Sequence, residues 1–410
     1  MRRLVVKNVG PIKHVDIELK KINVFIGSQG SGKSTLAKII SFCSWLEKRR
    51  GDETSYIDAH KRLVTYHRLD EYFSENSMIL YHGENLIYAY GWPENEILHT
   101  LNGFNPLDSE PLHVNDKEIF FFSLSPGVNP KVAYIPAERN FVSVVPTLQD
   151  YTEGNDNLQG FVLDWFRAKD RFKESNPLQI LNFGVRFSSS GSDHLILENG
   201  KTLRLSAAAS GYQSVTPLVA MIDWLANGIY KEEKPFSPSE AKQISDILSG
   251  ISEADSKTNV DELKRRLKAF VEGKAYSHTQ FIIEEPCQNL FPNAQKDLIY
   301  YLISSLDHGK NHHLVMTTHS PYVLTSLNNL IYAHKVGQTH KEEVAKLINP
   351  SSWIAYRDIN VLYVADGGIE SIMDEEQGLI KAEMIDGIST ILNEEFDKLL
   401  EIEVNDEIQR

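Results

Sequence analysis

The stretch FIGSQGSGKSTLAKII, Phe25–Ile40, joins an apolar strand end to a glycine-rich turn, a lysine, two hydroxyls and a helix-spaced apolar series. Val24-Phe25-Ile26 reads as a buried strand, and Leu36, Ile39, Ile40 and Cys43 recur at helical spacing. Between them, Gly27-Ser28-Gln29-Gly30-Ser31-Gly32-Lys33-Ser34 fits G-x-x-x-x-G-K-[ST], with Thr35 following. Glycines let successive backbone N–H groups turn inward around phosphate oxygens. The helix start adds unpaired N–H groups and the positive end of its dipole. Lys33 is placed to reach the β- and γ-phosphates of a nucleotide, and Ser34 to ligate Mg²⁺.

Composition limits what surrounds this loop. The chain has 410 residues, enough for one large discontinuous domain or two to three smaller ones. Apolar residues make up 41% and charged residues 24%, the mix of a soluble globular protein. No apolar run approaches membrane-spanning length, and Met1-Arg2-Arg3-Leu4 does not open a secretory signal. Cys43 and Cys287 are too few for a disulfide framework, so the expected compartment is a reducing cytoplasm. The net charge of −14 argues against a protein coated in nucleic acid. Asp366–Arg410 holds fourteen acids and three bases, which leaves the body near −3 and allows it a basic face.

The second half of a nucleotide site lies far downstream. In QFIIEEPCQNLFP (Gln280–Pro292), a buried strand ends in Glu284 and Glu285. Strand ends in α/β sheets open into the ligand crevice. The first carboxylate can hold the Mg²⁺ shell, usually through water. The second can orient or deprotonate an attacking water. An isolated Glu-Glu would read as two solvated acids, but this pair follows a phosphate loop. In HLVMTTHSPYVL a third strand ends at Thr317-Thr318-His319, where a histidine could reach the γ-phosphate or serve structure. In LSAAASGYQSVTPLVAMIDWLA, Ser210 and Gly211 stand at the start of an amphipathic helix. They are either a further anion site or an ordinary serine cap.

In this order the segments resemble the ATPase head of ATP-binding-cassette proteins, more narrowly the RecF/SMC/Rad50-like and OLD-like branch. LVVKNVGPIKHVDIELKKINVFIGSQGSGKSTL is similar to that branch's opening, with Gln29 where asparagine is frequent. Ala209-Ser210-Gly211-Tyr212-Gln213 resembles the L-S-G-G-Q signature, with Tyr212 for the second glycine. Glu284-Glu285-Pro286 resembles Walker B with its catalytic glutamate, Glu284 replacing the usual Asp. Asn289-Leu290-Phe291-Pro292 resembles the D-loop and His319 the switch histidine. VAYIPAERNF (Val132–Phe141) stands where a Q-loop belongs and resembles a segment of defence-associated ATPases. Glu138 and Arg139 are its candidates, since Gln149 follows late.

The resemblance implies an α/β P-loop NTPase head with a mixed central sheet, an antiparallel edge sheet and helical insertions. It implies ATP and Mg²⁺ bound by Gly27–Thr35, Ser34 and Glu284, and catalysis by Lys33, Glu285 and His319. It also implies a homodimer or higher homo-oligomer in which Ser210, Gly211 and Gln213 complete the partner's site.

The head is expected to be discontinuous, with its core at 1–50, 131–150, 193–230 and 278–340. A β-rich insertion at 51–130, a helical segment at 151–192, a helical insertion at 231–277 and a cap with an acidic helix at 341–410 complete the chain. Aromatics in 51–130 are expected to be core, and HLILENGKTLRL to be a hairpin turning at Asn199-Gly200. His308, His312 and His313 read as loop residues, and Lys264, Arg265, Arg266 and Lys268 as a solvated helix face or a contact for DNA or a partner. OLD-like nucleases carry a Toprim domain after the head. VADGG offers only Asp366 toward its acids, so no nuclease domain is expected. The chain is similar to ATPase components of bacterial anti-phage systems of the Septu or PARIS kind. That likeness implies regulation of a separate effector, a nuclease. A RecF-like, ATP-dependent DNA-binding repair protein is the alternative. An autonomous nuclease ranks below both, and a membrane transporter ATPase lacks its usual signature.

Overall fold

A computed structural model describes residues 2–48, 56–100, 112–122, 129–145, 156–231, 275–307, 309–381 and 393–399, with isolated positions 148, 245, 248–249 and 264. Gln149, His308, Arg265, Arg266, Lys268, most of the 231–277 insertion and most of the acidic tail lie outside the described residues.

The strands in chain order are β1 (Arg2–Val9), β2 (Ile12–Leu19), β3 (Ile22–Ile26), β4 (Phe73–His82), β5 (Leu86–Tyr90), β6 (Leu112–Asn115), β7 (Glu118–Phe122), β8 (Lys131–Ile135), β9 (Leu178–Gln179), β10 (Val185–Ser190), β11 (Ser192–Leu197), β12 (Thr202–Arg204), β13 (Thr279–Glu284), β14 (His313–Thr318), β15 (Ile359–Ala365), β16 (Gly368–Ser371), β17 (Met373–Asp374) and β18 (Leu379–Ile380). The helices are α1 (Lys33–Lys48), α2 (Ala59–His67), α3 (Glu94–Thr100), α4 (Phe141–Val144), α5 (Asn157–Lys169), α6 (Ser210–Ala226), α7 (Pro292–Ser304), α8 (Pro321–Gly337) and α9 (Lys341–Leu347).

The central sheet runs β16-β15-β3-β14-β13-β8, parallel throughout except for β16 at one edge. Strands β3, β13 and β14 are buried along their whole length, as parallel strands covered on both faces must be. Their side chains alternate between two cores. Val24, Phe281, Ile283, Leu314 and Met316 point toward α6, α7 and α8. Phe25, Ile282 and Val315 point the other way, toward α1 and a second sheet. That sheet runs β2-β1-β4-β5-β7-β6 and is antiparallel. Strand β2 shows the alternation of a strand with one solvated face. Tyr81, Tyr88 and Phe120 are core residues, not exposed stacking platforms.

The protein is thus an α/β fold with a mixed central sheet, antiparallel sheets and helices. Three expectations need correction. Residues 341–410 are not simply a cap, because β15 pairs with the phosphate-loop strand from Ile359↔Ile22 to Tyr363↔Ile26. The 151–192 segment is not simply helical, because β10 pairs with β11 across its end, Val185↔Leu197 to Ser190↔Ser192. His312 does lie in the loop before β14, yet it is fully buried there, accepts from Thr279 N at 3.0 Å and lies 3.1 Å from Ala226 O, so it is His313 that departs from the loop reading. His313 opens β14. The hairpin at Asn199-Gly200 forms as β11–β12, with Gly200 at φ 79°.

Candidate functional site

Because β14 lies between β3 and β13, the carboxyl ends of three adjacent strands carry the phosphate loop, His319 and the two glutamates to one place. The loop leaves β3 at Gly27 and enters α1 at Lys33. Gly30 and Gly32 hold φ values of 73° and 108°, open to glycine and strained for other residues. A Cβ on Gly27 would collide with Val364 O of β15, whereas a Cβ on Gly30 would meet nothing within 4 Å.

Lys33 is 5% exposed and donates to Gly27 O at 3.0 Å and Ser28 O at 2.8 Å. Burial lowers its pKa, against the pull of Glu285 and Glu284. Ser31 Oγ is buried with no hydrogen-bond partner among the described residues. A cation folded onto the loop's own carbonyls and an orphaned hydroxyl within it are what a phosphate-binding loop presents. The residues therefore fit a nucleotide phosphate.

Glu284 is 6% exposed, and burial raises its pKa. Tyr134 Oη donates to its Oε1 at 2.5 Å, and the exposed Ser34 side chain hydrogen-bonds it as well. Hydroxyl and carboxylate thus meet, as Mg²⁺ ligation by one serine, one carboxylate and nucleotide oxygens requires. Among the described residues no set of three His, Cys, Asp or Glu could hold a metal on its own.

Glu285 sits at φ 42°, a left-handed position that costs about 1 kcal/mol for a non-glycine residue. Its N–H donates to Thr317 O at 3.1 Å, and its Oε2 accepts from His319 N at 3.2 Å. His319 Nε2 lies 3.3 Å from Glu285 Oε1. Burial raises the Glu285 pKa, with His319 and Lys33 opposing. A half-buried carboxylate with a raised pKa, held against an imidazole, is suited to accept a proton near neutrality.

Ser210 is exposed at the start of α6, and a Cβ on Gly211 would stand 2.9 Å from Asn289 O. The signature-like turn therefore packs directly on the D-loop-like segment of its own chain. Gln213 Nε2 donates to Ser206 O and Ala208 O, both at 3.0 Å, which engages this amide within the turn. Tyr212, in place of a second glycine, packs edge-on against Phe183 with ring centroids 5.9 Å apart.

Arg139 is 0% exposed, and its role is not one the sequence suggested. Its guanidinium donates to Ser214 O of α6, to Pro136 O, and to Glu284 O, Glu285 O and Pro286 O at the end of β13. Gln288 Nε2 adds bonds to Ala137 O and to Ser214 Oγ. Burial pulls the Arg139 pKa down to about 10, which leaves it charged at neutral pH. Glu138 is exposed and close enough to raise the Glu284 pKa. Sequence reasoning missed Tyr134. Its one signal is a hydroxyl among the apolar residues that follow Lys131 in the strand KVAYI.

Among the described residues no helix is long and apolar enough to cross a membrane. Residues 3–81, spanning β1 to β4 with the phosphate loop, match the AAA domain family model. No curated protein matches the chain. Among solved structures, the chain is similar to the SMC head domain from Thermotoga maritima, at 11% identity and TM-score 0.38 over 91% of this chain and 98% of that one. It is also similar to an SMC head bound to the C-terminal winged-helix domain of ScpA, at 10% identity and TM-score 0.37 over 92% and 99%. A third similarity is to a dimeric, post-hydrolysis ATP-binding cassette bound to ADP and Pi, at 10% identity and TM-score 0.28 over 90% and 99%.

Proposed function

We propose that the chain is an ATPase that closes as a homodimer on MgATP and controls a separate effector protein. The supporting observation is the meeting of Lys33, Ser34, Glu284, Glu285 and His319 at the ends of three neighbouring strands. Lys33 leaves the loop carbonyls and binds the β- and γ-phosphates, assisted by the loop N–H groups and Ser31 Oγ. Ser34 and Glu284 would hold Mg²⁺, which when bound neutralises charge on the phosphate oxygens. Glu285 accepts the proton of the attacking water, and His319 orients Glu285 and contacts the γ-phosphate. Ser210 and Gly211 of one copy face the γ-phosphate held by the other. Closure is then favoured only while that group bridges the copies, and hydrolysis releases it.

Control of a nuclease effector in anti-phage defence rests on the resemblance to defence-system ATPases. Binding of MgATP, phosphate release and sedimentation with and without ATP test the proposal on wild type, Lys33→Ala and Glu285→Gln. Wild type should bind and hydrolyse, Lys33→Ala should not bind, and Glu285→Gln should bind and remain dimeric. Failure of wild type to bind ATP overturns the reading. Purification with neighbouring gene products tests the effector, and ATP-linked affinity for duplex DNA would favour the repair alternative.

A further inference from the structure

Between α1, α2 and the edge strand β8 lies a cavity of about 690 Å³. That volume is in the range of small-molecule sites. None of its described lining residues belongs to the phosphate loop, the glutamate pair or His319. Aromatic rings form much of its wall. Phe42 and Trp45 stack at 6.1 Å with 23° between planes. The His67 ring meets Tyr66 edge-on at 4.9 Å and Tyr134 at 5.2 Å.

Charge on the lining is asymmetric. Lys61 and Arg62 are exposed at the cavity, opposed by a single acid, Asp58, among the described lining residues. The Arg62 guanidinium already lies 4.7 Å over the Trp45 ring. His67 is 1% exposed, and its Nδ1 is buried with no hydrogen-bond partner among the described residues. Burial lowers the His67 pKa to about 3, so the ring is neutral at pH 7. Unpaired buried polar atoms are uncommon and call for a partner or a function.

Flat apolar walls suit a planar ring, and the two cations suit an attached anion. The hydroxyls of Ser41 and Thr65, together with the His67 imidazole, suit a ring edge that carries nitrogen and oxygen. We propose that this cavity binds a small planar aromatic anion of the mononucleotide class, a nucleobase bearing a phosphate, as an effector distinct from the hydrolysed triphosphate. Its route to the nucleotide site is Tyr134, which lines the cavity and donates to Glu284 Oε1 at 2.5 Å. Binding stands independently of the ATPase reading, whereas the effect on Mg²⁺ rests on it.

The test is equilibrium dialysis of radiolabelled AMP, GMP, CMP and UMP against the full chain with Mg·ADP saturating the phosphate loop. At least one monophosphate should be retained at one per chain. Thr65→Trp, which fills the cavity from an exposed position, and Arg62→Glu, which reverses the charge, should each weaken retention tenfold or more. Unchanged ADP stoichiometry shows that both variants fold. No retention at millimolar monophosphate overturns the proposal, as does retention by both variants equal to that of wild type. Competition by inorganic phosphate as strong as by nucleotide also overturns it, since the ring would then contribute nothing. If ADP itself fails to bind, the ATPase reading fails, and the cavity is still read out by the same dialysis on Lys33→Ala. In wild type, monophosphate should shift the Mg²⁺ concentration for half-maximal ATP binding, and Tyr134→Phe should abolish that shift while retaining the monophosphate. An unshifted wild type removes the coupling.

Discussion

Replacing Arg139 with Met removes one guanidinium and strands the carbonyls of Pro136, Ser214, Glu284, Glu285 and Pro286. Hydrogen bonds to a charged donor each contribute about 1.5–3 kcal/mol. Taken at the low end, five such bonds give about 8 kcal/mol. Against this stands the cost of keeping the cation in the interior. Its fall from 12.5 to about 10 corresponds to roughly 3 kcal/mol. The net is about 4–5 kcal/mol, in line with the 3–5 kcal/mol typical of breaking a buried charged network. Met retains part of the apolar stem, so little of the loss comes from packing. Urea unfolding followed by tryptophan fluorescence reads this directly, because Trp165 on α5 and Trp224 on α6 are both buried in the core beside the clamp. The midpoint should fall sharply, and phosphate release should be lost even below the transition. Arg139→Lys keeps the charge but offers three donors, and should fall between. A Met variant within 1 kcal/mol of wild type, with normal turnover, would refute the claim that Arg139 holds α6 to the end of β13.

Tyr134→Phe removes a donor to Glu284, which raises the carboxylate's pKa further and should weaken Mg²⁺-dependent nucleotide binding about fivefold, on the order of 1 kcal/mol, as a magnesium titration will show. Gly211→Ala places a methyl 2.9 Å from Asn289 O and should reduce ATP-induced dimerisation more than it lowers the unfolding midpoint, when sedimentation is compared with urea titration. Burial raises the Glu285 pKa, so the acid limb of the phosphate-release profile should lie above pH 4.5 and shift in His319→Ala, which removes an opposing charge. Acid should unfold the protein through its buried imidazoles. His67 titrates at about 3 and His313 at about 2 in the native state, both because of burial. The unfolded chain takes up protons near pH 6.5 that the native chain refuses, so stability falls as pH drops through 6.5 and continues falling toward 3. By pH 4 this amounts to on the order of 3 kcal/mol for each imidazole, and His67→Gln should flatten the slope.

The phosphate loop was legible because every residue that shapes it is local. Glycines, lysine and serine are adjacent in sequence, and the apolar strand and helix flank them. Glu284 and Glu285 were legible because an apolar run ending in acids has few other uses once such a loop exists. The place of β15 was not legible. It pairs with β3, more than three hundred residues earlier, and parallel pairing leaves no local turn signal. Arg139 was read as a loop candidate because charged residues are seldom fully buried, and PAERN gives no sign of the carbonyls its guanidinium gathers. Gln213 matched the signature pattern, yet its amide donates within its own turn. A motif match gives residue type and order but not side-chain direction.

These contacts bear on how closure between copies would be felt at the catalytic end of one chain. Ser210 and Gly211 begin α6, and that first turn is bound on three sides to the segment that follows β13. Gly211 abuts Asn289 O, Gln288 reaches Ser214 Oγ, and Arg139 spans Ser214 O and the carbonyls of residues 284–286. Rotating α6 away from Glu285 would break the two side-chain hydrogen bonds that meet at Ser214, at a cost of about 2–4 kcal/mol. The signature-like turn and the backbone of Glu285 are therefore linked through Ser214 and Arg139. Were the proposed closure to displace Ser210, these contacts would carry the displacement toward Glu285, whose left-handed backbone at φ 42° leaves it little freedom to absorb the change locally.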